Sequence, residues 1–188
     1  MPRVVSCATP IPGCVLIKGD VIEDGRGEFT KVFESDAFGP EGALVVEEQF
    51  WTVSNQDVLR GMHFQIPPKD HAKLVFAAEG EVIDVVLDLR RGSPAFGRTH
   101  SVVLSRANRQ ALLIPSGLAH GFLVTRGPAV LIYSTTSGHS PEHDKGVHWA
   151  SIGFNWPCSK PVVSDRDQSF PPLDKFSTPF AFDGGGAA

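Results

Sequence analysis

Several kinds of feature are missing from this chain, and each absence closes off a class of function. No H-x-H and no H-E-x-x-H occurs among its seven histidines. His139 and His143 are four apart but flank Pro141, which disfavours a helical ligand pair. Cysteine is sparse: Cys7, Cys14 and Cys158 are an odd set without a C-x-x-C. A disulfide framework is therefore not expected, and reduced thiols in a cytoplasm are. No apolar run approaches the length of a membrane-spanning helix. The N-terminus offers Arg3 and short apolar pieces broken by Pro10 and Pro12, not the core of a signal peptide. A net charge of −4 withholds the basic excess of a nucleic-acid surface. It leaves room for one small anion held by a local Arg/Lys cluster. The expectation is a soluble, cytoplasmic protein with no membrane and no nucleic-acid partner. Tyrosine occurs once, as Tyr133.

What the chain does contain is strand. From Leu44 the runs 45–54, 58–65, 73–78, 82–89, 100–104, 110–114, 121–124 and 129–135 are short and rich in Val, Leu, Ile and Phe. Turns are predicted at Glu79-Gly80, Gly92-Ser93-Pro94, Ala107-Asn108, Pro115-Ser116-Gly117 and Gly127-Pro128. In 82–89, Ile83, Val85 and Leu87 form an apolar face, and Asp84 and Asp88 alternate with them on the other. Before this block, 13–18 and 30–33 read as short strands, 20–29 as a turn-rich loop, and 34–39 as a helical turn or two broken by Gly39-Pro40-Glu41-Gly42. After Ser137 the chain turns polar and irregular, with room for a helical turn across one end of the fold. Eight or so strands without a long amphipathic helix predict an all-β jelly-roll sandwich or barrel with short peripheral helices. One domain over 1–182 is expected, with 183–188 (DGGGAA) as a flexible tail.

The chemistry gathers around VLRGMHFQ (58–65) and HAKLV (71–75). Arg60 suits an anion, His63 a proton, and Lys73 a developing negative charge. Each also has a plainer reading: a surface arginine, a hydrogen-bonded histidine, a solvated lysine. The same holds for His120, for Arg26 and Arg166, and for Tyr133, whose place at a strand end suits a polar tip at the rim. Asp84, Asp88 and Asp167 are candidate partners for histidine, and Arg90 a candidate partner for a nearby Asp.

In order, VLRGMHFQ…HAKLV, GEVIDVVLDLRRGSPAFG, LLIPSGLAHGFLV, LIYSTT, SPEHDKGVHW, IGFNWP and VVSDRD resemble the nucleotide-sugar 3,5-epimerase family, typified by dTDP-4-dehydrorhamnose 3,5-epimerase. The resemblance spans roughly residues 15–170. It implies a cofactor-free, metal-free cupin-type jelly roll, usually a homodimer, acting on a nucleoside-diphosphate 4-keto-6-deoxy sugar at C3, C5 or both in rhamnose-like deoxysugar biosynthesis. It implies a catalytic base at His63 paired with Asp167, a catalytic acid at Tyr133, and Lys73 beside the substrate. It further implies His120 in the pocket and phosphate contacts from Arg60 and Arg26. Arg166 stands where a Lys is usual, Asp144 where a Glu is usual, and Glu48-Gln49-Phe50-Trp51 where a Gln-Asp-Asn-like run contacts the nucleotide. Lys31 replaces an expected Glu, and Gly138-His139 replaces a pair of tyrosines. These departures leave the base open among thymidine, cytidine and guanosine, and leave open whether one carbon or both are inverted. A 3,4-ketoisomerase and a non-catalytic sugar-nucleotide-binding cupin are the alternatives. A metal-dependent cupin oxygenase is disfavoured by the missing H-x-H.

Overall fold

The strands follow the residue pattern because β-branched and aromatic side chains fit a pleated, half-buried surface. The computed structural model describes residues 3–34 and 44–184. Eleven strands are present among them: β1 (Val4–Ala8), β2 (Val15–Gly19), β3 (Val21–Asp24), β4 (Gly27–Thr30), β5 (Glu48–Ser54), β6 (Leu59–Gln65), β7 (Lys73–Asp88), β8 (Thr99–Ser105), β9 (Gln110–Ile114), β10 (Leu118–Thr135) and β11 (Asp144–Gly146). A single α-helical turn, α1 (Asp165–Gln168), and 3₁₀ turns at Trp149–Ser151 and Leu173–Lys175 complete the regular structure of these residues. The expected helical turn at 34–39, its break at 39–42 and most of the tail lie outside the described residues.

Nine strands pair in the order β1-β2-β9-β7-β10-β6-β11, with β5 added to β10 and β8 to β7, and every pairing is antiparallel. The two long central strands each change partner along their length. β7 pairs with β9 through Lys73–Phe76 and with β8 through Glu81–Leu87. β10 pairs with β6 through its first half and with β5 through Ala129–Thr135. The predicted turns at Glu79-Gly80 and Gly127-Pro128 are therefore corners inside continuous strands, not breaks between separate ones. The β7–β10 register shifts three times between Val124 and Leu131, and Gly80 stands at φ +72°. A Cβ on Gly80 would lie 2.5 Å from the Arg126 carbonyl oxygen, so only glycine lets the two strands bend together here. Turn residues mark such a corner as readily as a true turn, which is why the pattern alone divides each strand in two. The fold is the all-β jelly roll that the spacing predicts.

Two other readings change. The loop expected over 20–29 is the β3–β4 hairpin, in register Val21↔Thr30 to Asp24↔Gly27, and the chain is irregular at 31–33 where a strand was expected. The strand β1, short and weakly patterned, has no counterpart in the sequence reading.

The core explains the alternation in 82–89. Val82 and Val86 pack with Val75, Leu112, Phe122 and Leu131 in the largest apolar cluster. Val85 and Leu87 face the other way, onto Met62, Phe64, Ile152 and Phe180, where Phe154, Trp156 and Phe176 of the C-terminal segment cover them. Both faces are thus apolar surroundings, and Asp84 and Asp88 are fully buried. Such carboxylates need partners. Asp88 takes Arg90 in a buried pair at 2.7 Å, with Ser93 also donating at 2.7 Å. Asp84 takes His120.

Candidate active site

β6 and β10 approach so closely that their crossing tolerates only glycine. A Cβ on Gly61, at φ +141°, would lie 2.6 Å from the Cα of Gly121. This crossing sets His63 directly across from His120 in the strand register. Both imidazoles line one cleft of about 250 Å³, with Glu48, Phe50, Arg60, His71, Lys73, Tyr133, Asp144 and Arg166 among its other walls.

His63 is oriented from behind. Its Nε2 lies 2.8 Å from Oδ1 of Asp167, on α1. Ser164 caps that turn by accepting from the Asp167 N–H, and the second Asp167 oxygen accepts from the Gly61 N–H at 3.0 Å. Burial pushes the Asp167 carboxyl up, but the His63 and Gly61 hydrogen bonds outweigh it and hold the group below the usual carboxylate range. An ionised Asp167 keeps the imidazole proton on Nε2, which leaves Nδ1 as the basic nitrogen. Phe170 packs edge-on to the ring at 5.6 Å.

Tyr133 sits past the corner of β10, in the half of that strand that pairs with β5. Burial pushes its phenol above its ordinary value. It lies opposite Phe50 in the register, and the two rings stack at 4.8 Å and 12°. Tyr133 therefore does not lack an aromatic neighbour: β5 supplies one, where the sequence reading looked only to the loop after the tyrosine. Lys73 is half-buried at the start of β7, and desolvation lowers its ammonium from 10.5 to about 8 against the pull of Asp144 and Asp84.

The rim is charged. Arg60 donates to Ser54 at 3.0 Å and pairs with no carboxylate among the described residues. Arg166 donates to Asp144 at 2.7 Å, and Glu48 accepts the His139 N–H at 2.7 Å. Of the ten residues singled out from the sequence, eight line the cleft and Asp167 stands directly behind it. Arg26 does not join them: on the β3–β4 turn its side chain is 91% exposed and pairs with Asp24. Phe50, His71 and Phe170 went unread. His71 carried a signal, since it precedes Lys73 by two residues in HAKLV and extended chain turns both to one side. Among the described residues no cluster of three or more His, Cys, Asp or Glu is arranged to hold a metal ion, and no helix is long and apolar enough to cross a membrane.

Comparison with known proteins agrees with this geometry. Residues 8–175 match the family described as dTDP-4-dehydrorhamnose 3,5-epimerase. The Shigella flexneri protein of that name is 37% identical over 89% of this chain and 97% of its own. The Bacillus anthracis enzyme, solved with TDP and PPi bound, superposes with a TM-score of 0.87 at 30% identity, covering 91% of this chain and 100% of that one. A 3'-monoepimerase from Streptomyces bikiniensis, solved with dTDP-quinovose, gives 0.82 at 31% identity over 88% and 86%. A paired histidine and a lone tyrosine on neighbouring strands of one cleft, in a chain that matches over nearly its whole length, place this protein in the dTDP-4-dehydrorhamnose 3,5-epimerase family of carbohydrate epimerases.

Proposed function

We propose that the protein inverts C3, C5 or both of a dTDP-linked 4-keto-6-deoxy sugar in deoxysugar biosynthesis. A ketone acidifies the adjacent C–H bonds, so the reaction needs a base, a cradle for the enolate oxygen, and an acid on the opposite face. One observation carries the assignment: His63 on β6, Tyr133 on β10 and Lys73 on β7 line one cleft, with β10 running between the other two strands. His63 removes the proton through Nδ1, and Asp167 stabilises the imidazolium that forms. Lys73 faces the developing enolate. Tyr133 returns a proton to the other face, its burial keeping it protonated. Arg60 holds the diphosphate, and Arg166, Asp144, Glu48 and His120 bound the substrate. A ketoisomerase would not require a second proton-transfer group across the ring, and a binding module would require neither.

Thymidine is the base expected, since relatives of this chain carry dTDP in their names and one is solved with TDP. The working form is a homodimer. Trp51 and Val53 on the outer face of β5 are 70% and 58% exposed, a poor surface to leave in water. Arg26, remote from its own cleft, is then assigned to the diphosphate in the cleft of a second copy.

Proton NMR in D₂O with dTDP-4-keto-6-deoxyglucose tests the reaction. Signal loss at C3-H, C5-H or both is expected, and the pattern identifies the carbons inverted. His63→Ala should abolish exchange while the melting temperature still rises with dTDP, and rises more than with CDP, GDP or UDP. No exchange in the unaltered protein, or undiminished exchange in His63→Ala, would overturn the assignment.

A further inference from the structure

The ring of Tyr133 is held by two other rings. Phe50 lies flat against it, with centroids 4.8 Å apart and planes 12° from parallel. His120 meets it edge-on at 6.1 Å and 67°. His120 is itself anchored, because its Nε2 lies 2.8 Å from the buried Asp84 carboxylate. Phe50 is placed differently. It stands on β5, which pairs only with β10 among the described residues, and the alternation of an extended strand turns Glu48, Phe50 and Thr52 toward the cleft. Its neighbours along that face are a carboxylate and a hydroxyl, and 40% of its own surface stays open. A ring left this open gains little from burial. Its close, flat contact is with the tyrosine.

We propose that Phe50 is a positioning residue for the acid: by stacking on Tyr133 it aims the phenol at the reacting carbon, and so decides whether the enolate is inverted or merely returned. The proposal rests on the epimerase reading and goes beyond it. Once His63 has taken the proton, the electron pair of the C–H bond is in the enolate and the proton is on the imidazole. Two routes lead back to a ketone. His63 can return a proton to the face it came from, which restores the substrate. Tyr133 can give its hydroxyl proton to the opposite face, which inverts the carbon and leaves a phenolate that takes a proton from water. The His63 side chain is 28% exposed, so its proton exchanges with solvent. In D₂O both routes therefore deposit deuterium, and only the second changes configuration. A stacked aromatic pair contributes about tenfold to an equilibrium, and its loss lets the phenol leave the line of proton transfer.

Two substitutions separate aim from bulk. Phe50→Leu keeps an apolar side chain and removes the flat face, whereas Phe50→Tyr keeps the face. With dTDP-4-keto-6-deoxyglucose in D₂O, the epimers are separated at early times and the deuterium in each is counted by mass spectrometry. The ratio of inverted to uninverted labelled sugar should fall about tenfold in Phe50→Leu and stay within about twofold of native in Phe50→Tyr. Total deuterium uptake should change far less, because His63 is untouched. An unchanged ratio in Phe50→Leu, or an equal fall in the two variants, would overturn the proposal while leaving the epimerase reading intact. So would a smaller rise of melting temperature with dTDP at an unchanged ratio, which would make Phe50 a nucleotide contact instead. No exchange in the unaltered protein would overturn both. Tyr133 is the one tyrosine of the chain, so its ring signals assign themselves. In protein labelled with ¹³C-tyrosine, NOEs should join that ring to Phe50, and their absence would overturn the proposal even if a variant does not fold.

Discussion

The molecule contains the same chemical pair twice, side by side. His63–Asp167 and His120–Asp84 each close at 2.8 Å, and the two histidines face one another across β6 and β10. Their surroundings differ. The His63 side chain is 28% exposed against 5% for His120. Asp167 arrives on a helical turn in the C-terminal segment, 104 residues away in sequence, and is held by a second hydrogen bond from the Gly61 N–H. Asp84 is in the middle of β7, and its other oxygen has no partner among the described residues. A histidine–carboxylate pair does not define a catalyst. The outer pair has an open face toward substrate and a carboxylate held in its charged form from behind. The inner pair is bound into two central strands and serves as a fixed wall of the cleft.

Removing each carboxylate in turn should separate these roles. In Asp167→Asn the imidazole loses its orienting charge, and turnover should fall about 10²–10⁴-fold. Urea unfolding should change less, because asparagine fills the same buried space and keeps an oxygen to accept from the Gly61 N–H. In Asp84→Ala the larger effect should be on folding, by about 3 kcal/mol, because a buried donor is stranded in the core. Paired urea titrations and turnover measurements check both. If Asp84→Ala costs turnover without costing stability, the inner pair is chemical after all and the contrast between the two fails.

How much of this was legible in the residues follows from where the determinants lie. The strands β6, β9 and the second half of β7 could be read because their apolar alternation is local. The joining of 73–78 to 82–89 could not, since the continuity depends on how β10 bends against Gly80, an interaction across the barrel. His63, Lys73, Tyr133 and Asp167 were legible through short motifs around them, and the cleft does bring them together. Phe50 was missed because its stacking on Tyr133 is set by β5–β10 register, which no local pattern encodes. His71 was passed over because a histidine beside a lysine is ordinary until the fold sets it in the wall of the cleft. Arg26 was legible as a cation, and its distance from the cleft was not, because a hairpin tip can be placed anywhere its neighbours allow.

The smallest effect is a pH dependence that would sharpen the contrast between groups facing substrate and groups buried in the frame. Burial lowers Lys73 to about 8, so its ammonium is present at pH 7 and is lost as pH rises through that value. Turnover should then fall above about pH 8, approaching tenfold per unit. Tyr133 cannot produce this limb, because burial moves its ionisation upward, away from 8. Stability should move the other way. The folded state pays for a desolvated ammonium below about 8, and the unfolded chain keeps its proton up to 10.5, so between these values unfolding takes up a proton and Lys73's contribution to stability rises with pH. Turnover falling while this contribution rises is a signature that a desolvated, substrate-facing lysine produces and a fully solvated surface group does not. Lys73→Met should erase the slope in stability along with most of the turnover. A turnover limb near 8 with the stability slope unchanged in Lys73→Met would assign the limb to another group.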